Sequence, residues 1–102
     1  MIAKSHESQA TTLGKETYDL VKGDFSPAEA SEIVNDLFCK KINFHSLKSF
    51  QQLVRSGSKD HGSEQRINEL KLAQKQTKEL IQEAKESGKG VRVISTISIE
   101  LI

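Results

Sequence analysis

Val91-Arg92-Val93-Ile94-Ser95-Thr96-Ile97-Ser98-Ile99-Glu100-Leu101-Ile102 is the stretch that decides how this chain folds. β-branched residues dominate it, and apolar and polar side chains alternate along most of it, which is the period of a strand. Val91, Val93, Ile97, Ile99 and Leu101 fall on one face. Arg92, Thr96, Ser98 and Glu100 fall on the other, with Ile94 and Ile102 as exceptions. Such a division fits a sheet covered by helices on one side. A strand needs a neighbour for its backbone donors and acceptors. Elsewhere only residues 41–45 and 2–4 read as extended, and both stretches are short. The economical neighbour is the same strand of a second copy, crossing near Thr96 and Ile97. A strand over 91–102 spans roughly 40 Å at ~3.3 Å per residue, more than the roughly 34 Å diameter of a compact chain of this size. An intertwined homodimer is therefore expected, with Val91, Val93, Ile97, Ile99 and Leu101 as its interface. The alternative is pairing within the chain to 41–45.

Before the strand, Gly88-Lys89-Gly90 stops a long helix over 63–87, rich in Glu, Gln, Lys, Leu and Ala. Ile67, Leu70, Ala73, Thr77, Leu80, Ile81 and Ala84 form its apolar stripe, and Gln74 and Thr77 weaken it as a coiled-coil seam. Residues 56–62 are a loop by composition. Further back, Ser26-Pro27-Ala28-Glu29 joins an N-cap serine, a first-turn proline and a glutamate three residues past the cap. It predicts a helix over 27–40, with Ala30, Ile33, Val34, Leu37 and Phe38 inward. Ser46 reads as another cap, opening a helix over 46–55 with Leu47, Phe50, Leu53 and Val54 as its apolar face. Leu13, Thr17, Leu20 and Val21 stand near helical spacing before Gly23, so a short helix over 12–22 is expected.

The fold expected is thus α+β, mainly α: three to four helices and then one strand, a single domain over 11–102 after a disordered lead at 1–10. Only 35% of the 102 residues are hydrophobic and 5% aromatic, so the core is thin and favours burial against a second chain. No apolar run is long enough to span a membrane or resembles a secretory signal, and Cys39 is the only cysteine. These features predict a cytoplasmic protein with no membrane partner.

Net charge is +1, yet the charges are unevenly placed. Residues 1–36 are acidic in balance, whereas 37–59 hold Lys40, Lys41, Lys48, Arg55 and Lys59 and no acid. Asymmetry of this kind concerns partners. Helices 27–40 and 46–55 could form a helix-turn-helix-like pair, with Lys40, Lys41, Lys48, Gln51, Gln52, Arg55 and Lys59 meeting nucleic acid or another partner. The connection is long for that motif, and overall charge is nearly neutral.

Other chemistries find little footing. His6, His45, His61 and Cys39 lack metal-ligand spacing. Cys39 stands at the end of its expected helix, where the dipole disfavours a thiolate. The carboxylates fall on solvated helix faces, Glu29 is engaged in capping, and Glu32 and Asp36 repel one another. Neither Gly57 and Gly62 nor Gly88 and Gly90 make a phosphate loop. No catalytic, metal or cofactor residue is expected. The reading that remains is a non-enzymatic regulatory or adaptor module acting as a homodimer, with nucleic-acid binding as the alternative.

Overall fold

The computed structural model describes residues 14–102, together with the backbone of Ala3–Lys4. The expected disordered lead and His6 fall mostly or wholly outside the described residues. The order is β1 (Ala3–Lys4), β2 (Lys15–Phe25), α1 (Pro27–Ser56), α2 (His61–Ser87) and β3 (Val91–Glu100). The strands form an antiparallel sheet in the order β1-β2-β3. Among the described residues the architecture is α+β and mainly α, with two helices in place of three or four.

The helix expected over 12–22, of which 12 and 13 lie outside the described residues, is the first correction. Residues from Lys15 to Phe25 form a strand, not a helix. It pairs with β3 from Lys15↔Glu100 to Phe25↔Val91. The register shifts by one between Asp19 and Val21, so Leu20 is the extra residue of a bulge. Directly opposed residues of an antiparallel pair share a face. Before the bulge that face holds Tyr18 opposite Ile97, and after it Val21 opposite Ser95 and Phe25 opposite Val91. Without the bulge, Tyr18 and Val21 would lie on opposite faces, because side chains alternate. The interrupted alternation is what gives Leu13, Thr17, Leu20 and Val21 a helical look. Gly23 lies within the strand, not at a helix end.

Consequently β3 takes its neighbour from its own chain, contrary to the expectation that its neighbour is a second copy. Nor is 41–45 the intrachain mate: that stretch lies inside α1. The sequence from 27 to 56 contains no glycine, and its only proline is Pro27, so nothing breaks the backbone ladder. Ile42 and Phe44 alternate only by accident of phase, since one points toward α2 and the other away. Ser46 is an exposed mid-helix residue and no cap. The separate helices 27–40 and 46–55, and with them the helix-turn-helix pair, are one continuous helix.

Its beginning is as expected. Ser26 N–H donates to Glu29 Oε1 at 3.0 Å, and Glu29 N–H donates to Ser26 Oγ at 3.2 Å. Gly57 ends α1 in the left-handed conformation at φ 81°, where a side chain would be strained. Asp60 then caps α2 by accepting from Ser63 N–H at 3.2 Å, and Gly88 closes it at φ 68°. The two helices, roughly 45 and 40 Å long at ~1.5 Å per residue, form an antiparallel hairpin.

Helix packs chiefly on helix, and strand on strand. The molecule measures 50 × 40 × 18 Å, with a radius of gyration of 16.9 Å against ~13 Å for a compact chain of this length. An 18 Å thickness is less than two helix diameters of about 10–12 Å, so most of the molecule is one layer deep. A domain core ordinarily lies between two layers. Here the buried apolar side chains among the described residues are Ala30, Ile67, Leu70 and Ile81.

Candidate interaction surfaces

The seam between the helices is set by heptad spacing. On α2 the inward positions are Ser63, Ile67, Leu70, Gln74, Thr77, Ile81 and Ala84, all buried or half-buried. They recur at alternating intervals of four and three, as in a coiled coil. On α1 they are Asn35, Phe38, Ile42, His45, Ser49 and Gln52. Polar residues therefore sit in the seam. Gln74 Nε2 donates to Asn35 Oδ1 at 2.8 Å, and His45 Nδ1 meets Ser63 Oγ at 3.3 Å. Ser49, only 2% exposed, has a hydroxyl with no hydrogen-bond partner among the described residues.

The outer face of α1 has the opposite character. Phe44, Leu47, Phe50 and Val54 are 56%, 58%, 60% and 70% exposed. At 100° per residue they lie roughly 160° round the helix from Phe38, Ile42, His45 and Ser49. From His45 onward α1 thus turns its polar side chains His45, Ser49 and Gln52 toward α2 and its largest apolar ones to water. In a helix that packs only on its own hairpin, those faces would be exchanged.

Beside the stripe runs a row of cations. Lys41, Lys48 and Arg55 stand seven residues apart, along one flank. Lys41 Nζ lies over the Phe44 ring at 4.9 Å, joining row to stripe. None of the ion pairs among the described residues involves Lys41, Lys48 or Arg55. Of the other expected contacts, Lys40 is paired with Asp36 at 3.2 Å and Lys59, in the loop, approaches Glu64 at 4.0 Å. Gln52 turns partly inward and donates to Ser56 Oγ at 3.0 Å, whereas Gln51 is exposed. The structure therefore brings Lys41, Lys48, Gln51 and Arg55 to one accessible surface and sets Lys40, Gln52 and Lys59 apart. Phe44 belongs with Leu47, Phe50 and Val54, outside the apolar face expected over 46–55. The available signal was a spacing of three, three and four that runs on through 41–45.

The antiparallel pair of β2 and β3 offers a second surface. Val91, Val93 and Ile97 are half-buried on its apolar face, while Ile99 and Leu101 are largely exposed. On the other face Arg92 Nε and Nη2 donate to Asp24 Oδ1 and Oδ2 at 2.7 and 3.1 Å. That hydrogen bonding, with the guanidinium charge, holds the Asp24 carboxyl below its ordinary value. Lys15 lies opposite Glu100. Among the described residues nothing pairs with the outer edge of β3. Leu101 N–H donates to Gly14 C=O at 2.7 Å, which points odd-numbered residues of this strand at β2. Alternation then turns the backbone of Arg92, Ile94, Thr96, Ser98 and Glu100 outward. This edge is free of the proline, lysine and bulge that commonly blunt one.

Cys39 is exposed with a free thiol, and Gln74 Nε2 lies 3.7 Å from its sulfur. Among the described residues no group of three or more His, Cys, Asp and Glu side chains is placed to hold a metal ion. No described helix is long and apolar enough to cross a membrane. An open cleft of about 370 Å³ lies where α2 meets β3, between Leu80, Ala84, Val91 and Arg92.

His45 couples the seam to pH. Burial, then the charges of Lys41, Lys48 and Arg66, hold its imidazole below the ordinary histidine value, against an opposite pull from Asp60. The unfolded chain therefore takes up this proton more readily. Stability present above about pH 6.5 is lost as pH falls through the unfolded and then the folded value. Asp24, Glu29 and Asp60, all lowered, add a separate loss in the carboxylate range. Urea midpoints of the wild type are expected to fall between pH 7.5 and 5.5, and those of His45→Gln to fall less. Equal slopes would contradict this assignment.

No protein-family model, curated protein or solved structure matches this chain.

Proposed function

We propose that the chain is a small, cytoplasmic, non-enzymatic regulatory or adaptor module that acts as a homodimer and binds a protein partner. The observation that carries this reading is the apolar stripe of α1, which faces solvent in a molecule one layer deep. Exposed patches of this kind mark interaction surfaces. The free, exposed Cys39 fits a reducing compartment.

The homodimer forms through the outer edge of β3, about a two-fold axis at Thr96. Charge selects that register. With Thr96 opposite its own copy, Arg92 faces Glu100 of the second copy and Ile94 faces Ser98. Asp24, Arg92, the second copy's Glu100 and its Lys15 then form one row of alternating charge across four strands, since each chain already sets Asp24 beside Arg92 and Lys15 beside Glu100. On the apolar face Val93 meets Ile99. Opposed charges and β-branched pairs each contribute roughly 0.2–1 kcal/mol, added to about ten backbone hydrogen bonds. A shift by one residue on each strand would set Ile94 against Glu100 and lose the row.

Sedimentation equilibrium of the full chain at micromolar concentration tests the reading. A mass near twice 11.4 kDa is expected, and a monomer up to about 100 μM would overturn the homodimer.

A further inference from the structure

We propose that the outer face of α1 is a docking surface for an acidic amphipathic helix. The inference rests on the adaptor reading and names the partner's chemistry. Phe44, Leu47, Phe50 and Val54 make a stripe about three turns long, open along its length. Lys41, Lys48 and Arg55 border it on one side at the heptad interval, the place that flanking charges take in paired helices. The opposite border, Cys39, Ser46 and Leu53, carries no charge, and Asn43 lies within the stripe. A helix laid on the stripe would bury its own apolar face there and need carboxylates seven residues apart on the flank that meets the cations. The row spans roughly 21 Å, so the partner helix has at least four turns.

Two other occupants fit less well. In a second copy packed antiparallel about a two-fold axis, like flanks meet, so Lys48 would face Lys48 and Lys41 would face Arg55. Packed parallel, the cations would face the uncharged border. A nucleic acid would satisfy the cations through its phosphates and leave the four apolar side chains in water. No acid occurs anywhere in 37–59, so the surface has no carboxylate of its own to supply the complement. An acidic helix satisfies stripe and cations together.

The test uses two labelled 21-residue peptides with leucine at a and d. One carries glutamate at every e and g position, the other lysine. Fluorescence anisotropy with the full chain is expected to show the acidic peptide binding at least tenfold more tightly. Leu47→Ser with Phe50→Ser should weaken it at least tenfold. The combined Lys41→Glu, Lys48→Glu and Arg55→Glu change should reverse the preference, so that the basic peptide binds better, which loss of folding could not do. Equal binding of the two peptides, or binding of neither, overturns the proposal. So does tight binding of a 20-base-pair duplex that the charge reversal abolishes and the Leu47→Ser, Phe50→Ser change leaves intact. Sedimentation of the same samples separates the two readings. A dimer that ignores the peptide overturns the docking surface alone, and a monomer that binds it overturns the homodimer alone.

Discussion

Thr96→Pro is expected to convert the dimer into a monomer while leaving each chain folded. The N–H of Thr96 points away from β2, so its loss leaves the β2–β3 ladder whole. Proline is tolerated on the outward side of an edge strand for that reason. In the dimer the same N–H meets its own copy at the two-fold axis. Two hydrogen bonds are lost there, and two rings are set against the opposing backbone. At about 1 kcal/mol per bond, plus the clash, dimer dissociation should rise about a hundredfold. Sedimentation equilibrium reads the change, and far-ultraviolet circular dichroism reports that the helices persist. A variant that remains dimeric at the wild-type affinity would place the interface elsewhere.

Leu70→Ala has the largest expected effect on stability. Leu70 is one of four buried apolar side chains among the described residues, and it occupies the centre of the seam. Truncating a buried leucine costs about 2–5 kcal/mol. A chain of this size holds only ~5–15 kcal/mol in all. The midpoint of thermal unfolding should fall by about 10–20 °C at fixed protein concentration. Leu72, two residues on and 57% exposed, provides the contrast. Leu72→Ala should shift stability by no more than ~0.5 kcal/mol. Similar losses from both would mean that α2 does not pack as described.

Much of this fold is legible in the sequence, and what is hidden has identifiable causes. The Ser26 capping box, the stop at Gly88 and the strand beginning at Val91 are local signals, each satisfied within a few residues. The strand from Lys15 to Phe25 is hidden because one bulge shifts its alternation midway, so that Tyr18 and Val21 share a face only after Leu20 is skipped. The continuity of α1 is hidden because Ile42 and Phe44 imitate a strand and Ser46 imitates a cap. Once α1 is continuous, the cations noted at 40–59 divide. Lys41, Lys48 and Arg55 fall in a row, whereas Lys40 and Lys59 have carboxylates of their own. Which apolar face of a helix meets its own hairpin cannot be read when both faces are apolar in part. Here Asn35, His45, Ser49 and Gln52 take the inside, a choice that heptad phase against α2 makes and composition alone does not.

Mixing two charge variants tests the homodimer and its register together. Arg92→Glu places two glutamates opposite one another at each end of the interface, and Glu100→Arg places two arginines there. Each variant alone should dimerise about tenfold more weakly than the wild type, as expected for two exposed pairs turned from attraction to repulsion. In an equimolar mixture the introduced glutamate of one variant meets the introduced arginine of the other at one end of the interface. At the other end the unchanged Arg92 and Glu100 meet as in the wild type, so a heterodimer restores both pairs. Sedimentation equilibrium of the mixture is predicted to recover an affinity within about twofold of the wild type. A mixture no more associated than its two components would contradict the two-fold axis at Thr96.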